Sequence, residues 1–305
     1  MTNANAPDCG YSLQVCTAAD AGPLLLAVQF DGRDFPHGPG LDLLGGDHDC
    51  EFWSADEDLA VFALAAPDPV EGDAAEPAER LYRQLIERLA ESPYAYPLRL
   101  WNYFPAINQG TDDTERYRRF CVGRGRALEA AGLSDAQMCA ATAIGTAGKT
   151  MQLVALAGTR PGVSIENPRQ VSAWNYPRRY GPRQPAFARA TGINLADGRA
   201  GLLISGTASV VGHITAHPHD VRSQTEQAAS NLEALLGHAA GAMRRPGLAR
   251  FNETSLARVY IREAADWPAV QVLLQRRWPQ LRLCALQGDI CRSDLMVEIE
   301  AWHTG

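Results

Sequence analysis

Two glutamates near the C-terminus are the best candidates for acid–base chemistry in this sequence. Glu298 and Glu300 lie in segment 295–302, where apolar and polar residues alternate as in a β-strand. Strand geometry puts both glutamates on one face together with Met296, and either face could be the inner one. A glutamate among apolar neighbours resists ionisation, so its pKa rises and it keeps a proton near neutral pH. On a solvent-facing strand the same residue would have no special chemistry.

Arginines in two segments predict a pocket for a small anion with more than one carboxylate. Five arginines lie within 115–126, and five more lie within 167–196, which contains no Asp or Glu. Guanidinium groups pair with carboxylates through two parallel hydrogen bonds. Lys149 is the only lysine, so arginine is the ordinary cation of this chain. Most of these ten arginines are therefore expected to be surface residues or members of ion pairs.

Tyrosines are interleaved with both arginine segments. Tyr117 and Arg124 are seven residues apart, which places them on one face of a helix if that helix continues through Gly123. Both side chains could then point into one cleft. The alternative for such a tyrosine is a half-buried core position with a satisfied hydroxyl group.

Composition describes a globular chain that is not built for nucleic acid or membranes. The 305 residues are 46% hydrophobic and 21% charged, enough for one or two domains with a real core. No apolar run approaches the ~20 residues of a membrane span, and the N-terminus lacks a signal pattern, which predicts a cytoplasmic protein. The net charge of -7 argues against nucleic acid or anionic membranes as partners. Seven scattered cysteines without a CxxC pair predict free thiols.

The periodicity along the chain predicts an α+β fold of mixed sheets with helices on one face. We expect a strand at 24–30, helices at 81–89 and 113–131, and strands at 137–144 and 150–156. A strand at 200–204 is expected to enter a turn at 205–209. Asp220 is the expected N-cap of a long helix, and a strand, helix, strand, strand tail follows. We place a smaller N-terminal α/β part at 1–95 and the catalytic domain at 96–305.

Other chemical signals are weaker. His213, His217 and His219 fall within seven residues, but no companion ligand has the spacing of a metal site, so we predict no metal. Gly206 lies in an SGTAS segment that lacks the GK[ST] of a phosphate loop. The sequence also has no dinucleotide fingerprint and no nucleophile elbow, so we predict no cofactor.

Several segments together resemble the chorismatase family. They are NYFPAIN (102–108), ERYRRF (115–120) with GR (123–124), ATAIG (141–145), ENPRQ (166–170) with YPRRYGPRQPAFARA (176–190), SGTASVVGH (205–213) and GDICRSDLMVEIE (288–300). Ordered blocks over the last two-thirds of the chain are more specific than any single motif. The resemblance implies a RidA-like fold, that is, an α+β unit akin to proteins that bind carboxylates in clefts between units. It also implies a monomer or small homo-oligomer.

The resemblance further implies an activity and a site. Chorismatases remove pyruvate from chorismate without a cofactor, and their acid falls in the EIE context of Glu298. The match carries substrate binding to four residues: Tyr117, Arg124, Tyr176 and Arg189. Gly206 and Cys291 match the subgroup that forms 3-hydroxybenzoate, whereas we expect alanines at these positions in the subgroup that forms a dihydroxycyclohexadiene. We therefore predict conversion of chorismate to 3-hydroxybenzoate and pyruvate.

Alternatives remain at the level of the sequence. A mixture of 3- and 4-hydroxybenzoate, or the diene, would need only small changes in the same pocket. A RidA-like protein that binds another carboxylate or hydrolyses imines would use the same arginines, and an RNA-binding module is disfavoured by the acidic charge. Gly206 and Cys291 could also be a turn glycine and an inert core thiol. Gln227 stands where the resemblance implies a glutamate, which puts one supporting contact in doubt.

Overall fold

The computed structural model of the chain describes residues 58–147, 149–195 and 198–305, and the backbone of four short strands before residue 55. Those strands are β1 (Cys16–Thr17), β2 (Gln29–Phe30), β3 (Arg33–Asp34) and β4 (Glu51–Ser54). The strand predicted at 24–30 lies outside the described residues except for β2. No helix in the described part of the chain is both long enough and apolar enough to cross a membrane.

The first layer is a six-stranded sheet with two helices. Besides β4 it contains β5 (Leu59–Pro67), α1 (Ala75–Ala90), β6 (Tyr96–Pro105), α2 (Arg116–Ala130), β7 (Ala140–Thr146), β8 (Thr150–Gly158) and, from late in the chain, β16 (Asp289–Ile290). The strands are ordered β16-β7-β6-β8-β5-β4. The predicted helices and strands of this region are therefore present, with ends shifted by a few residues.

The second layer is a seven-stranded sheet, again with two helices. It contains β9 (Val163–Ile165), β10 (Ala190–Asn194), β11 (Ala200–Ala208), α3 (Val221–Ala242), β14 (Leu256–Ile261), α4 (Trp267–Arg277), β15 (Arg282–Gln287) and β17 (Val297–Thr304). Its order is β1-β15-β14-β17-β11-β10-β9. A two-stranded ribbon of β12 (Val210–Val211) and β13 (Ile214–Thr215) stands apart from both sheets. Asp220 caps α3 as predicted, because its side chain accepts from the Ser223 backbone N–H at 3.1 Å.

The two layers repeat one topology. In the first, the run β4, β5, α1, β6, α2, β7, β8 is ordered in space as β4-β5-β8-β6-β7. In the second, the run β10, β11, α3, β14, α4, β15, β17 gives the corresponding order β10-β11-β17-β14-β15. Each unit contains one parallel pair, β6 with β7 and β14 with β15, joined through a helix as parallel strands require. This repeat is not evident in the amino-acid sequence.

The helices of each layer cover the outer face of their own sheet, and the two inner faces meet. One apolar cluster lies under α1 and α2, and another lies under α3 and α4. A third lies between the sheets and includes Val154 and Leu156 of β8 opposite Tyr260 and Trp302. The predicted α+β class, with mixed sheets and helices on one face, is confirmed.

The predicted boundary at residue 95 falls inside the first layer. Strands β5 and β6 both pair with β8, so the elements on either side of residue 95 belong to one sheet. The chain passes from the first sheet to the second between β8 and β9. This crossing point, after residue 158, divides the layers, and the extent of independently folding domains stays a prediction.

Candidate active site

The two glutamates of the last strand face the space between the sheets. On β17 the side chains of Val297 and Ile299 pack beneath α3 and α4, so Glu298 and Glu300 occupy the opposite, inner face. Both glutamates are buried. The sequence leaves the choice of face open because β17 is buried on both sides.

Glu300 is surrounded by hydrogen-bond donors. Its two carboxylate oxygens contact five donor side chains at 2.6 to 3.3 Å: Arg99, Trp101, Thr142, Arg258 and Tyr260. Arginine and the indole N–H have no acceptor to offer, so these contacts require an ionised carboxylate. Glu300 is therefore a fixed negative charge that binds the two sheets together.

Glu298, two residues earlier on the same face, has the opposite surroundings. Within the described residues no side chain donates a hydrogen bond to its carboxyl group, which lines a cavity. Burial, and after it the negative charge of Glu300, together raise the pKa of Glu298 to about 8 against the opposing effect of Arg99 and Arg189. The two carboxyl groups therefore differ in kind, because Glu298 carries a proton at neutral pH and Glu300 carries a charge.

Helix α2 supplies the first pair of predicted binding residues. The helix continues through Gly123 and packs closely on α1 at this residue. A Cβ at this position would lie 2.8 Å from the Ala75 carbonyl carbon, so the close packing requires glycine. Tyr117 and Arg124 consequently share a face and line the same cavity as Glu298. Arg124 is 2% exposed and stacks over the Phe120 ring, and its Nε has no hydrogen-bond partner. Burial raises the pKa of Tyr117, so its hydroxyl group stays protonated.

The second predicted pair, Tyr176 and Arg189, lies in the segment that precedes β10. Arg189 is 4% exposed and donates from Nη2 to the Tyr176 hydroxyl and to the Val171 carbonyl, both at 2.9 Å. Its guanidinium group stacks against Phe187 with a 5.0 Å distance to the ring centroid. Its Nε also has no partner. Within the described residues neither Arg189 nor Arg124 forms an ion pair, so both offer donors to an anion in the cavity.

Most of the remaining arginines of the two segments form ion pairs or lie at the surface, as expected for a chain in which arginine is the ordinary cation. Six of them form ion pairs with Asp or Glu: Arg116, Arg118, Arg119, Arg126, Arg178 and Arg183. Arg169 instead donates to the Asn231 side chain, at 3.1 Å. Arg179 is exposed and contacts the His213 ring at 3.1 Å. Arg124 and Arg189 remain as the buried arginines of these segments without an ion pair in the described residues, and they are the candidate clamps.

Gly206 is not in a tight turn, so the turn predicted at 205–209 is wrong. Strand β11 continues to Ala208, and its register against β17 shifts between Ile204 and Thr207. Such a bulge bends the strand and redirects the groups at its centre. A Cβ built on Gly206 would lie 2.6 Å from the Glu298 carboxyl carbon, which is too close for any real contact. The glycine therefore provides space for the Glu298 carboxyl group.

Cys291 forms another part of the cavity wall. It follows β16 and packs against the apolar cluster of Ala208, Val210 and Leu295. The thiol is free, as are those of Cys121 and Cys139. Burial raises the pKa of the Cys291 thiol, and the nearby Glu298 raises it further, so it is an uncharged wall group at neutral pH.

All seven sequence-predicted site residues line one cavity of about 520 Å³: Tyr117, Arg124, Tyr176, Arg189, Gly206, Cys291 and Glu298. This volume is within the usual range for a small-molecule site. The cavity lies where β7, β11, β17 and α2 meet, and it is closed on one side by the segments 170–189 and 289–295. What the arrangement offers chemically is one neutral carboxylic acid and two buried guanidinium groups that line the same cavity.

Thr142 and Arg292 also line the cavity, although neither is among the site residues predicted from the sequence. Thr142 lies within the quoted ATAIG segment, but its side chain has no role until its partners are known. Arg292 follows Cys291, lies 4.4 Å from the Tyr180 ring centroid, and donates to the Thr215 hydroxyl at 3.1 Å. The only sign of this in the sequence is that Arg292 directly follows Cys291, a predicted site residue.

Two weaker signals have structural roles. His213 contacts the Tyr180 hydroxyl at 3.1 Å, and His217 accepts from the Gln224 side chain through its carbonyl group. Gln227 donates to the side chain of Asn231 at 3.0 Å, and Asn231 in turn donates to the carbonyl oxygen of Ala208. Glutamine at position 227 therefore still supports the end of β11.

Comparisons with known proteins agree with this geometry. Residues 43–157 match the family model described as "Chorismatase FkbO/Hyg5-like, N-terminal", which ends where the chain leaves the first sheet. A 3-hydroxybenzoate synthase from Streptomyces hygroscopicus is 40% identical over 78% of this chain and 72% of its own length. A chorismatase from Streptomyces rapamycinicus is 37% identical over 84% of this chain and 77% of its own. The crystal structure of a chorismatase superposes with a TM-score of 0.71 and 34% identity, over 81% of this chain and 75% of the other.

Proposed function

Because the chain belongs to the chorismatase family, we propose that its cavity binds chorismate and that Glu298 starts the release of pyruvate. The chain is an enzyme, and it converts chorismate to 3-hydroxybenzoate and pyruvate. The observation that carries the role of Glu298 is its buried carboxyl group with a pKa near 8, directed into a cavity with two unpaired arginines.

Chorismate has two carboxylates, a ring hydroxyl group and an enolpyruvyl ether. Arg124 with Tyr117 binds one carboxylate, and Arg189 with Tyr176 binds the other. Each arginine is buried and has an Nε without a partner, so an incoming carboxylate supplies the missing acceptor without competing with a protein carboxylate. Two clamps on different elements fix the substrate in one orientation, with the ether next to the acid.

Glu298 acts first as a general acid. Its proton goes to the methylene carbon of the enol ether, the carbon–carbon double bond supplies the electron pair for the new C–H bond, and an oxocarbenium ion forms beside the Glu298 carboxylate. The ether carbon–oxygen bond at the ring is then weak. A group with a pKa near the working pH is well matched to this transfer, because it is protonated at the start and basic afterwards.

The second step releases pyruvate without consuming water. The neighbouring ring hydroxyl oxygen bonds to the ring carbon that carries the ether, that carbon's bond to the ether oxygen breaks, and its electron pair goes to the oxygen, which becomes the keto oxygen of pyruvate. The hydroxyl proton returns to the Glu298 carboxylate. The resulting arene oxide isomerises to 3-hydroxybenzoate, so chorismate equals the two products in atoms and charge.

Gly206 and Cys291 govern the competing reaction with water. Gly206 leaves room for the Glu298 carboxyl group against β11, and the uncharged Cys291 thiol adds apolar wall. A site of this shape keeps water away from the activated pyruvyl carbon, so the ring hydroxyl group reacts instead. Water attack there would leave the ring as the diene.

The direct test is incubation of the purified protein with chorismate in a chelated buffer, followed by measurement of pyruvate. Each step moves only protons and breaks a carbon–oxygen bond, so pyruvate is expected without nucleotide, flavin or metal. A strict requirement for an added metal would overturn the mechanism. We also propose that the protein is cytoplasmic. We further propose that it is a monomer or small homo-oligomer, and gel filtration tests this oligomeric state.

A further inference from the structure

The hydroxyl group of Thr142 connects the backbone of Gly206 with the carboxylate of Glu300. Thr142 is 4% exposed and lines the cavity from β7. Its Oγ1 accepts from the backbone N–H of Gly206 at 2.9 Å and from Arg99 Nη2, and it donates to Glu300 at 2.6 Å. A hydroxyl group has one hydrogen and two lone pairs, so all three are used here. Because Arg99 and the N–H can only donate, the hydroxyl hydrogen must point to Glu300.

The bond to Gly206 belongs to the bulge of β11. Between Ile204 and Thr207 the strand loses register with β17, and the Gly206 N–H turns to β7. The adjacent Ser205 hydroxyl also reaches β7, where it accepts from the Ala141 N–H at 2.9 Å. The Gly206 N–H is therefore held from the opposite sheet, and pairing of β11 with β17 resumes at Thr207.

We propose that Thr142 is a positioning residue that sets the separation between the Gly206 backbone and Glu298 and thereby directs the reaction to 3-hydroxybenzoate. Thr142 acts through the bulge and through Glu300, since its hydroxyl group has no capacity left for a substrate. The inference rests on the proposed function, because a product ratio exists only for an enzyme that converts chorismate.

Removal of the hydroxyl group tests the idea without changing the shape of the side chain. Thr142→Val leaves the Gly206 N–H without its acceptor and Glu300 without one donor, so the bulge is free to move. Thr142→Ser keeps the hydroxyl group and can remake all three bonds. Serine rescue distinguishes positioning by hydrogen bonds from simple packing by the threonine methyl group.

The chain provides a matched control. Thr191 is 2% exposed, lies on β10, and accepts from the Ala140 N–H at 2.8 Å, so it also joins β7 to the second sheet. It does not line the cavity. Thr191→Val therefore removes the same kind of hydrogen bond between the same layers, and it reports the general cost to stability.

The experiment compares Tm, kcat, KM and the chromatographic product ratio for the wild type and these three variants. For Thr142→Val we expect kcat to fall about tenfold, KM to change by no more than about twofold, and the share of diene to rise. Thr142→Ser should resemble the wild type, and Thr191→Val should lower Tm with a wild-type product ratio.

Equal product ratios and equal kcat in Thr142→Val and Thr191→Val would overturn the inference, as would a serine variant as defective as the valine variant. If Thr142→Val does not fold, Thr142→Cys replaces it, because a thiol hydrogen-bonds weakly and should give a partial shift that an unchanged ratio would contradict. A wild-type enzyme that releases no pyruvate from chorismate would instead refute the proposed function.

Discussion

The carboxyl group of Glu298 occupies the space that a side chain on Gly206 would need. A Cβ at position 206 would lie 2.6 Å from the Glu298 carboxyl carbon and 3.1 Å from its Cγ. The two residues belong to paired strands, β11 and β17, at the point where their register shifts. The absence of a side chain on one strand thus determines where the acid on the next strand can stand.

Substitution of the two wall residues should change the product. Gly206→Ala forces the Glu298 carboxyl group to move, and Cys291→Ala enlarges the cavity beside it, so water gains access to the activated pyruvyl carbon. We expect the Gly206→Ala, Cys291→Ala double variant to release more diene and less 3-hydroxybenzoate than the wild type. Chromatography of the products measures this ratio, and an unchanged ratio would refute the role of the wall.

Replacement of Glu298 should greatly reduce turnover while the protein still folds. Glu298→Gln keeps the size of the side chain but has no proton to give, so kcat should fall on the order of 100-fold or more. Circular dichroism and Tm should remain close to wild type. Near-normal turnover of this variant would show that another group supplies the proton.

The activity should depend on pH through the same group. Glu298 must be protonated to act, and its pKa is near 8, so kcat/KM should be level below about pH 7 and decline above about pH 8. Glu300→Gln removes a negative charge that raises this pKa, so the decline should begin at lower pH. The exposed Glu91→Gln variant is the control, with an unchanged profile. An identical alkaline limb in Glu300→Gln would contradict the assignment.

Substitution of Arg124 or Arg189 should weaken both substrate binding and turnover. Arg124→Ala or Arg189→Ala leaves a substrate carboxylate unpaired in a partly dry site, so kcat/KM should fall on the order of 30-fold or more, with a higher KM. Arg178→Ala is the matched control, since its exposed ion pair with Asp113 lies outside the cavity and should leave the kinetics unchanged. Normal kinetic constants in both buried variants would show that the clamps lie elsewhere.

Local patterns predict much of the fold and several of the site residues. The spacing of Tyr117 and Arg124 indicates one helix face, and the alternation around Glu298 indicates a strand, and both are present. These features depend on periods of 3.6 and 2 residues, which the sequence records directly. Five of the seven site residues carry a charged or phenolic group that itself suggests chemistry.

Other features depend on contacts between distant parts of the chain. The inner face of β17 is not evident from its sequence because both faces are buried. The Gly206 N–H in the bulge donates to Thr142, 64 residues away, and Glu300 accepts from the same threonine, 158 residues away. A small polar residue such as Thr142 gives no sign of this role by itself. The repeated topology is likewise visible only in the order of the strands.

In the proposed reaction a proton from Glu298 activates the enol ether, and the ring hydroxyl group, not water, displaces pyruvate. The most direct test is a reaction in H₂¹⁸O with lactate dehydrogenase and NADH present, so that pyruvate is trapped as lactate before its keto oxygen exchanges. If the ring hydroxyl group displaces pyruvate, 3-hydroxybenzoate and lactate form in equal amounts. The lactate hydroxyl oxygen is then unlabelled, because it derives from the ether. Diene as the main product, or lactate carrying ¹⁸O at that position, would contradict it.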